Sequence, residues 1–356
     1  MTPYASDGSP DRSPAPGAPP GAGWAESHRF GRAGRLPTPT PFPVGDVNAY
    51  LVFPPQGSEE LTLIDTGVKS PEAFDALRRG FKEHGFALEQ ITRILLTHAH
   101  MDHYGQARRL RDLSGAVVYA SAPEAERMRV GMSPTGQRDE RVFSFFRRWG
   151  VPDELAAGDN PMADMARLYQ DPIEVDAIVA DGDRIALGDL TLEVVETPGH
   201  CEGHVVYYER AGKRLFSGDH LLPDISPVPL LVFPKEGEER PKSLVRFLDS
   251  LRKVESLDCT LAFPSHGDVI RDHRALIASY RLHAERRSLK LQRLLDDGSA
   301  TPFELATRMF PKAYAAQLVL VLSEVIGHLD LLVERGRVVI EERAGVEHVR
   351  LTGEAA

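Results

Sequence analysis

The sequence predicts a fold of the α+β class, in which strands and helices alternate along most of the chain. The apolar run at residues 94–96 is typical of a buried strand, and it leads directly into a turn rich in histidine. Residues 71–84 carry apolar side chains at helical spacing, which indicates an amphipathic helix lying on a sheet. Three later apolar runs end in glycine-containing turns that hold a histidine or an aspartate. Because open sheets form their sites at the carboxyl ends of strands, we expect these polar residues to form a site.

Length and composition predict a globular protein with a sizeable core. A chain of 356 residues is expected to form two domains, or one large domain with an appendage. A hydrophobic content of 42% excludes a wholly disordered chain. The net charge of −10 disfavours non-specific binding to nucleic acid or to an anionic membrane. The two cysteines have no CxxC spacing, so no disulfide framework is expected, as suits a reducing cytosol.

The sequence contains no pattern that indicates attachment to a membrane. No stretch approaches the roughly 20 apolar residues that span a bilayer, and no basic segment followed by an apolar one indicates a signal peptide. The expectation is therefore a cytoplasmic protein. Residues 1–27 are rich in Pro, Gly, Ala and Ser, and they are predicted to be disordered because they cannot bury enough apolar surface.

Two strands and a helix are predicted ahead of the histidine-rich turn. The first strand is expected from residue 42 onward and the second at residues 61–64, before the helix at 71–84. Asp65 follows the second strand, where its carboxylate can orient a ligand histidine. An equally good interpretation is that Asp65 caps the helix that begins near Ser70.

The histidine-rich turn has the composition of a metal site. His98 and His100 are two positions apart, so they point to the same side of an extended backbone. Asp102 and His103 lie in the following turn, before a helix predicted from about Gly105, and can face different ways. The segment can therefore offer two imidazoles to one metal, and a carboxylate and an imidazole to a second. These ligands suit zinc, and also iron or manganese. The alternative is a solvated polar turn.

Three further strand ends supply more residues of the ligand type. Each turn is weak evidence alone, because a lone Gly-Asp or His-Gly is usually only a turn. Together they deliver His200, Asp219 and His266, each in the turn that follows an apolar run.

An insertion interrupts the alternation of strands and helices at about residues 122–175. It contains helical patches without a clear strand, and arginines are interleaved there with Phe143, Phe145, Phe146 and Trp149. An insertion between core strands is expected to cover the site and shape a substrate pocket. We expect Arg147 or Arg148 to bind an anionic group of the substrate, since guanidinium binds anions bidentately. The alternative is a helical pack whose arginines are solvated.

With the HxHxDH motif at 98–103, the Asp65-Thr66-Gly67 turn and the three later residues in order, the sequence resembles the metallo-β-lactamase superfamily over about residues 42–270. The resemblance implies an αββα sandwich of two sheets with helices outside and a dinuclear site at one rim. It implies one metal ion held by His98, His100 and His200. It implies a second held by Asp102, His103 and His266. Asp219 would bridge the two, which favours the branch similar to glyoxalase II, lactonases and metal-dependent nucleases.

The resemblance also implies a mechanism in which Asp102 and Asp219 are the catalytic residues. Two divalent cations, two aspartates and a bridging hydroxide leave roughly one positive charge, which suits a carbonyl or a phosphodiester. The hydroxide would attack the substrate, and Asp102 would take the proton afterwards. His204 resembles the second histidine of the family's TPGHxxGH turn and is expected to support the ligands. His220 is expected either to line the pocket or to lie apart from it.

Residues 281–356 are predicted to form a separate small unit after a first domain at 28–280. Pro302 suits the first turn of a helix, a long apolar helix is expected at 313–334, and a hairpin is expected through Ala344-Gly345. This pattern resembles the winged-helix domain of some superfamily members, one of which is an endoribonuclease. However, residues 313–334 contain no Lys or Arg to contact phosphate, which disfavours nucleic acid as a partner. The unit is expected to pack on the core or to form a homodimer.

The leading functional hypothesis is a hydrolase that attacks an ester, thioester or lactone of a small molecule. It would use two divalent metal ions, with zinc ranked ahead of iron and manganese. The alternative is a dinuclear-metal (ribo)nuclease. A non-enzymatic metal-binding partner protein ranks third, because a complete ligand set has no obvious use without catalysis.

Overall fold

The computed structural model of the chain describes residues 28–55, 57–131, 140–157, 161–234, 237–296 and 298–353. The tail predicted to be disordered, residues 1–27, lies outside these ranges. Residues 132–139 and 158–160 of the predicted insertion also lie outside them.

The first sheet contains seven strands that follow each other in chain order. They are β1 Arg29–Phe30, β2 Ala33–Thr38, β3 Val47–Val52, β4 Leu61–Ile64, β5 Ile91–Leu95, β6 Val117–Ser121 and β7 Ala177–Val179. The strands β1 to β4 pair antiparallel, whereas β4 to β7 pair parallel. The strand predicted from residue 42 begins only at Val47, because Pro41 and Pro43 cannot donate to a ladder and Gly45 has φ 87°. The strands β1, β2 and β7 were not predicted.

The second sheet contains five strands in the order β12-β11-β10-β9-β8. They are β8 Arg184–Leu187, β9 Leu190–Glu196, β10 Val205–Glu209, β11 Arg214–Gly218 and β12 Leu261–Pro264. Only β11 and β12 pair parallel, so the ends that precede Asp219 and His266 lie at the same edge. The strand β8 was not predicted from the sequence.

The two sheets pack face to face. Along each strand, side chains point alternately to the core between the sheets and to the core under the outer helices. In β3, Tyr50 and Val52 join the core between the sheets, where they meet Val194 and Phe216 of the second sheet. Leu51, between them in sequence, belongs to a different core on the outer face of the first sheet. This is the period of two that a strand imposes on its side chains.

Helices cover the outer face of each sheet. On the first sheet lie α1 Pro71–Glu83, α2 Met101–Tyr104 and α3 Ala107–Ser114. Phe74 and Phe81 of α1 pack there against Leu51 and Leu63. On the second sheet lie α8 Ser243–Glu255 and α9 His273–Arg293, reached after the four helices of the insertion. The result is a four-layered arrangement of helix, sheet, sheet and helix.

The described part of the insertion contains four helices. Its helices are α4 Ala122–Val130, α5 Glu140–Arg148, α6 Asp153–Ala156 and α7 Pro161–Tyr169. In the described residues between β6 and β7 there is no strand.

The C-terminal segment contains α10 Pro302–Met309, α11 Leu318–Glu334 and the antiparallel hairpin β13 Val338–Arg343 with β14 Val346–Leu351. The predicted start of α10 is confirmed, because Thr301 caps it and Pro302 occupies its first turn. The helix α9 runs without a break across residues 280 and 281, where a domain boundary was predicted. The winged-helix assignment stays a prediction.

The aromatic side chains of the insertion pack against the C-terminal segment and do not form the predicted wall of a substrate pocket. Phe146 and Trp149 share one core with Leu291, Leu305 and Leu322. Phe143 and Phe145 pack against the same core. The amphipathic helix α5 buries its apolar face here because α10 and α11 offer the larger apolar surface. None of the helices in the described ranges combines the length and the hydrophobicity that a bilayer span needs.

Candidate metal centre

The histidine-rich segment lies at the carboxyl end of β5, as predicted. His98 follows the strand and is fully buried. Asp102 and His103 belong to α2, a single helical turn that begins at Met101, so the helical backbone starts earlier than predicted. Because successive residues of a helix point about 100° apart, Asp102 and His103 can serve the same ion from different directions.

The first ligand group consists of His98, His100, His200 and Asp219, with ligand atoms that lie within 4.8 Å of one another. Nε2 of His98 is 2.8 Å from Nδ1 of His100. Nε2 of His200 is 3.1 Å from the same Nδ1. Three ring nitrogens therefore converge at one point, together with an oxygen of Asp219 that is 3.3 Å from Nε2 of His200.

Hydrogen bonds on the far side of two rings fix which nitrogen faces this point. Nδ1 of His200 donates to the carbonyl oxygen of Val228 at 3.0 Å. Nδ1 of His98 lies 3.0 Å from the hydroxyl of Thr97, which itself donates to Asp65 and so accepts from the ring. The Nε2 atoms of His98 and His200 are therefore unprotonated, and each presents a lone pair to this point. Burial lowers the pKa of His98 well below its usual value, and neighbouring imidazoles add to the effect.

The second ligand group consists of Asp102, His103 and His266. Nε2 of His266 is 3.3 Å from one oxygen of Asp102, and Nε2 of His103 is 3.8 Å from the other. Nδ1 of His266 donates to the carbonyl oxygen of Asp46 at 2.8 Å. Burial opposes the protonation of His103, yet three surrounding carboxylates, led by Asp219, raise its pKa to about 10.

Asp219 lies between the two groups and turns one oxygen toward each. Its Oδ2 is 3.3 Å from Nε2 of His200, whereas its Oδ1 is 3.5 Å from Nε2 of His103. The hydroxyl of Ser265 donates to Oδ1. Burial alone would raise the pKa of Asp219, but His103 and the other nearby imidazoles hold it well below its usual value. The position is that of the predicted bridging carboxylate.

Asp65 orients His103 and does not cap a helix. Its Oδ2 accepts from Nδ1 of His103 at 2.9 Å, and its Oδ1 accepts from the backbone N–H of Thr97 at 2.9 Å. The cap of α1 is Ser70, whose hydroxyl accepts from Ala73 N. Asp65 also has φ 56°, a left-handed conformation that is uncommon for non-glycine residues but that aspartate adopts more readily than most.

His204 and His220 differ in their relation to the ligands. Nε2 of His204 accepts from the backbone N–H of Asp219 at 3.2 Å, and its Nδ1 is 2.8 Å from the hydroxyl of Thr197. His204 therefore fixes the backbone beside the bridging carboxylate. His220 is fully buried with its ring 5.2 Å from that of Phe247, and burial lowers its pKa to about 3.

The donor set fits a pair of divalent cations. It contains five imidazoles and two carboxylates and no thiolate, which suits zinc, iron or manganese. The buried Nε2 of His103 has no hydrogen-bond partner among the described residues. Convergent lone pairs and an orphaned buried nitrogen are costly unless a cation occupies the space between them. The structure thus brings together all seven predicted ligands, whose role as ligands stays a prediction.

Glu124 is a residue of the site that carries no signal in the sequence. It belongs to α4 and is fully buried. Its two carboxylate oxygens accept from Ala99 N at 2.8 Å and from Gly203 N at 2.9 Å. It therefore ties the loop of His98 and His100 to the loop that follows His200.

A cavity of about 470 Å³ opens beside His100. Its lining includes Tyr104, Arg127, Val130 and Leu230. Arg127 is exposed in this cavity, and its charge helps to lower the pKa of His100, after burial and His200. Among the described residues, none forms a hydrogen bond with its guanidinium. The residue was one of several arginines in the predicted insertion.

The structure does not bring Arg147 or Arg148 to the site. Arg147 is exposed and pairs with Glu140 and Asp153. Arg148 pairs with Glu347 on β14. Both lie on α5, which packs against the C-terminal segment, so the expectation that they bind substrate is wrong for this structure. His220 does not line the cavity beside His100 either.

Comparisons with known proteins agree with this geometry. The family model described as the metallo-beta-lactamase superfamily matches residues 42–266. The probable metallo-hydrolase YqjP of Bacillus subtilis is 33% identical over 299 residues, which cover 83% of this chain and 90% of that protein. The atrochrysone carboxyl ACP thioesterase nsrC of Aspergillus novofumigatus is 26% identical over 268 residues, which cover 74% of this chain but only 63% of that protein. A crystal structure of a metallo-beta-lactamase family protein from Thermus thermophilus has a TM-score of 0.74 and 28% identity, and covers 91% of this chain and 99% of that one.

Proposed function

The chain belongs to the metallo-beta-lactamase superfamily, and we propose that it is a metal-dependent hydrolase that cleaves an ester, a thioester or a lactone of a small molecule. The observation that carries the proposal is the position of Asp219, whose two oxygens face different ligand groups. A carboxylate in this position favours the branch that is similar to glyoxalase II.

In this proposal the two ligand groups hold two divalent ions, with zinc ranked first. One ion would be held by His98, His100 and His200, the other by Asp102, His103 and His266, and Asp219 would contribute to both. When bound, such ions would polarise a substrate carbonyl and lower the pKa of water toward about 7.

The residues around the ligands keep this set in one geometry. Asp65 holds His103 by its Nδ1, and the carbonyl of Val228 holds His200 in the same way. We assign to Asp102 the acceptance of the proton that hydrolysis releases, at the carboxylate oxygen near His266. Burial opposes it, but the neighbouring imidazoles lower the pKa of Asp102, so that its carboxylate is ionised at neutral pH.

The cavity beside His100 supports an acyl compound with an anionic group as substrate. Apolar side chains such as Val130 and Leu230 line it, and Arg127 supplies one cation. A guanidinium that forms no hydrogen bond with the described residues can take a carboxylate or a phosphate in bidentate fashion. The thioesterase name of the Aspergillus relative supports our ranking of a thioester ahead of the other two substrate classes.

The nuclease alternative has less support. The helix that would enter a nucleic-acid groove is α11, and nearly all of its side chains from Val321 to Leu332 are buried. It packs on α8, α9 and α10, which leaves little of its surface for contact with a duplex. A cytoplasmic location and a homodimer stay predictions.

The test starts from protein purified without added metal. Elemental analysis should find about two divalent ions per chain, one for each ligand group. The loaded protein is then assayed against acyl thioesters, aryl esters, lactones and single-stranded RNA. Hydrolysis of an acyl compound that stops when the ions are chelated supports the proposal. Cleavage of RNA alone, or a protein that binds one ion, contradicts it.

Arg127→Ala tests the anionic part of the substrate. Loss of one charge-assisted hydrogen bond should raise KM for an anionic acyl substrate by about 10- to 150-fold, which corresponds to about 1.5–3 kcal/mol. The matched control is Arg147→Ala, because Arg147 belongs to the same insertion but is exposed and pairs only with surface carboxylates in the described residues. Equal KM values in both variants would mean that Arg127 does not bind the substrate and is only a solvated side chain.

A further inference from the structure

A second cavity, of about 340 Å³, lies between the C-terminal helices and two loops of the sandwich. Its size falls in the range of small-molecule sites. Most of its lining is apolar and includes Val44, Ile225, Val228, Ala313, Leu320 and Val321. None of the seven candidate ligands lines it.

The two loops that line this cavity are also the loops that orient ligand histidines. Val228 lines the cavity, and its carbonyl oxygen accepts from Nδ1 of His200 at 3.0 Å. Val44 lies two residues before Asp46, whose carbonyl oxygen accepts from Nδ1 of His266 at 2.8 Å. Each of the two loops thus connects the cavity to one ligand group, through a hydrogen bond between a backbone carbonyl and a ligand histidine.

The segment at 225–231 separates this cavity from the one beside His100. Val228 faces the C-terminal helices, whereas Leu230 lines the cavity beside His100. The backbone N–H of Leu230 donates to the carbonyl oxygen of His200 at 3.3 Å. His200 is therefore held by the same segment that has a cavity on each of its sides.

The chemistry of the second cavity favours an apolar occupant. Its strongest charges neutralise each other, because Arg287 pairs with Glu324 at 3.3 Å and lies 4.9 Å over the ring of Phe310. Leu320 lines the cavity and is still 43% exposed, which is high for a leucine in a helix that is otherwise largely buried. A compound that covered Leu320 would remove apolar surface from water without leaving a charge unpaired.

We propose that this cavity binds the apolar acyl or alkyl chain of the substrate while the reacting carbonyl lies at the metal centre. The inference rests on the proposed hydrolase function. It gives the substrate two arms, an apolar arm against the C-terminal helices and an anionic arm at Arg127. The C-terminal segment is then part of the substrate site, because its helices line the cavity together with the loops that carry Val44 and Val228.

Direct binding tests the cavity independently of turnover. Straight-chain carboxylic acids of about four to about twelve carbons are titrated into the metal-free protein by calorimetry. Each added methylene should strengthen binding by about fourfold until the cavity is full, which corresponds to about 0.8 kcal/mol for a buried methylene. Leu320→Glu places a charge in the cavity, and Ala313→Trp fills it, so both variants should lose this dependence on chain length.

The matched control is Leu289→Glu. Leu289 is a helical leucine that is 51% exposed and does not line the cavity. Melting temperature and metal content of all three variants show whether each one folds. With the metal-loaded proteins, kcat/KM for a series of acyl thioesters should rise with chain length in the wild type and in Leu289→Glu only.

The outcomes separate the two proposals. If the loaded wild type hydrolyses no ester, thioester or lactone but binds longer acids more tightly than Leu320→Glu does, the proposed function fails and the apolar cavity remains. If binding and kcat/KM depend on chain length equally in wild type, Leu320→Glu and Ala313→Trp, the cavity proposal is overturned even though the protein is a hydrolase. A wild type without any dependence on chain length also overturns it.

Discussion

The two ligand groups of the candidate metal centre hold their imidazoles in opposite ways. In the first group, His98 and His200 direct Nδ1 to neutral acceptors, a hydroxyl and a backbone carbonyl. Burial lowers the pKa of both rings, and for His98 the neighbouring imidazoles lower it further. At neutral pH this group therefore presents bare nitrogen lone pairs.

In the second group, carboxylates surround His103, whereas Nδ1 of His266 donates to a backbone carbonyl as in the first group. His103 receives Asp65 on its Nδ1 and lies close to Asp102 and Asp219 on its other side. Although burial acts against it, these carboxylates raise the pKa of His103 to about 10, and Asp102 and Asp219 also raise the pKa of His266. In the metal-free second group His103 therefore holds a proton at neutral pH.

The difference shows that one site can prepare two cation positions by different means. The first group depends on burial and on neutral hydrogen bonds, so a cation displaces no proton from it. The second group depends on negative charge, which attracts a cation but also a proton, and the two compete. Asp219 is the residue that both groups share. A variant of Asp219 should therefore affect both groups, whereas variants of other residues should affect only one.

Asp219→Asn should have the largest effect because it affects both groups at once. An amide can offer its oxygen to one group only, and its NH2 then faces the ligand nitrogens of the other. We expect the loss of at least one metal ion and a fall in activity larger than the about 10- to 100-fold that changes behind the ligands cause. Elemental analysis and kcat are the measurements. Asp75→Asn, an exposed aspartate paired with Arg78, is the control. If the variant still binds two ions, Asp219 is not a ligand that the two groups share.

Asp65→Asn should weaken the second group alone. Asparagine tolerates the positive φ of this position, so the backbone is expected to persist. The neutral side chain no longer favours a protonated Nδ1 on His103, and metal affinity should fall by about 10- to 100-fold. Competition with a chelator, read separately for the two binding steps, measures it. An equal loss in both steps would contradict the separation of the groups.

The two groups should also differ in their dependence on pH. Since the pKa of His103 is about 10 in the metal-free protein, a cation must displace its proton, and affinity should fall by about tenfold for each pH unit lowered from 8 to 6. The first group should change much less over this range, because its rings are already neutral. Calorimetry in buffers of different ionisation enthalpy counts the protons released. Equal release in the two steps would refute the comparison.

Glu124→Gln should have the smallest effect and should act on the first group. The amide oxygen can accept from only one of the two N–H groups, Ala99 or Gly203, that the carboxylate now holds. A buried N–H left without its partner should lower the free energy of unfolding by about 1–3 kcal/mol. Denaturant titration measures it. Glu126→Gln, at the exposed surface of the same helix, should leave stability within about 0.5 kcal/mol of the wild type.

Much of the fold and of the site follows from local patterns. Seven residues of the ligand type stand directly after apolar runs, and the structure brings all seven into two groups. The cap at Thr301, the proline after it and the hairpin at Ala344-Gly345 are also local, and the structure confirms them. Patterns of this kind are readable because a strand or a cap fixes the direction of a side chain within a few residues.

The strands β1, β2, β7 and β8 could not be predicted, because short or edge strands carry little alternation of their own. Their pairing is decided by neighbours far away in sequence, as when Ala33 of β2 pairs with Val52 of β3. The start of the first predicted strand was wrong for a different, local reason, because Pro43 and the positive φ of Gly45 keep the strand from beginning before Val47.

The sequence by itself determined the kind of site, since the spacing of His98, His100 and His103 after one strand leaves few other uses for these residues. Only the tertiary structure decided which charges serve that site. Arg127 reaches the cavity while Arg147 and Arg148 pair elsewhere, although all three belong to the same insertion. The reason is physical. The direction of a ligand is fixed by its own strand and turn, whereas the partner of a charge on a helix depends on which face that helix buries, and the C-terminal segment decides this for α5.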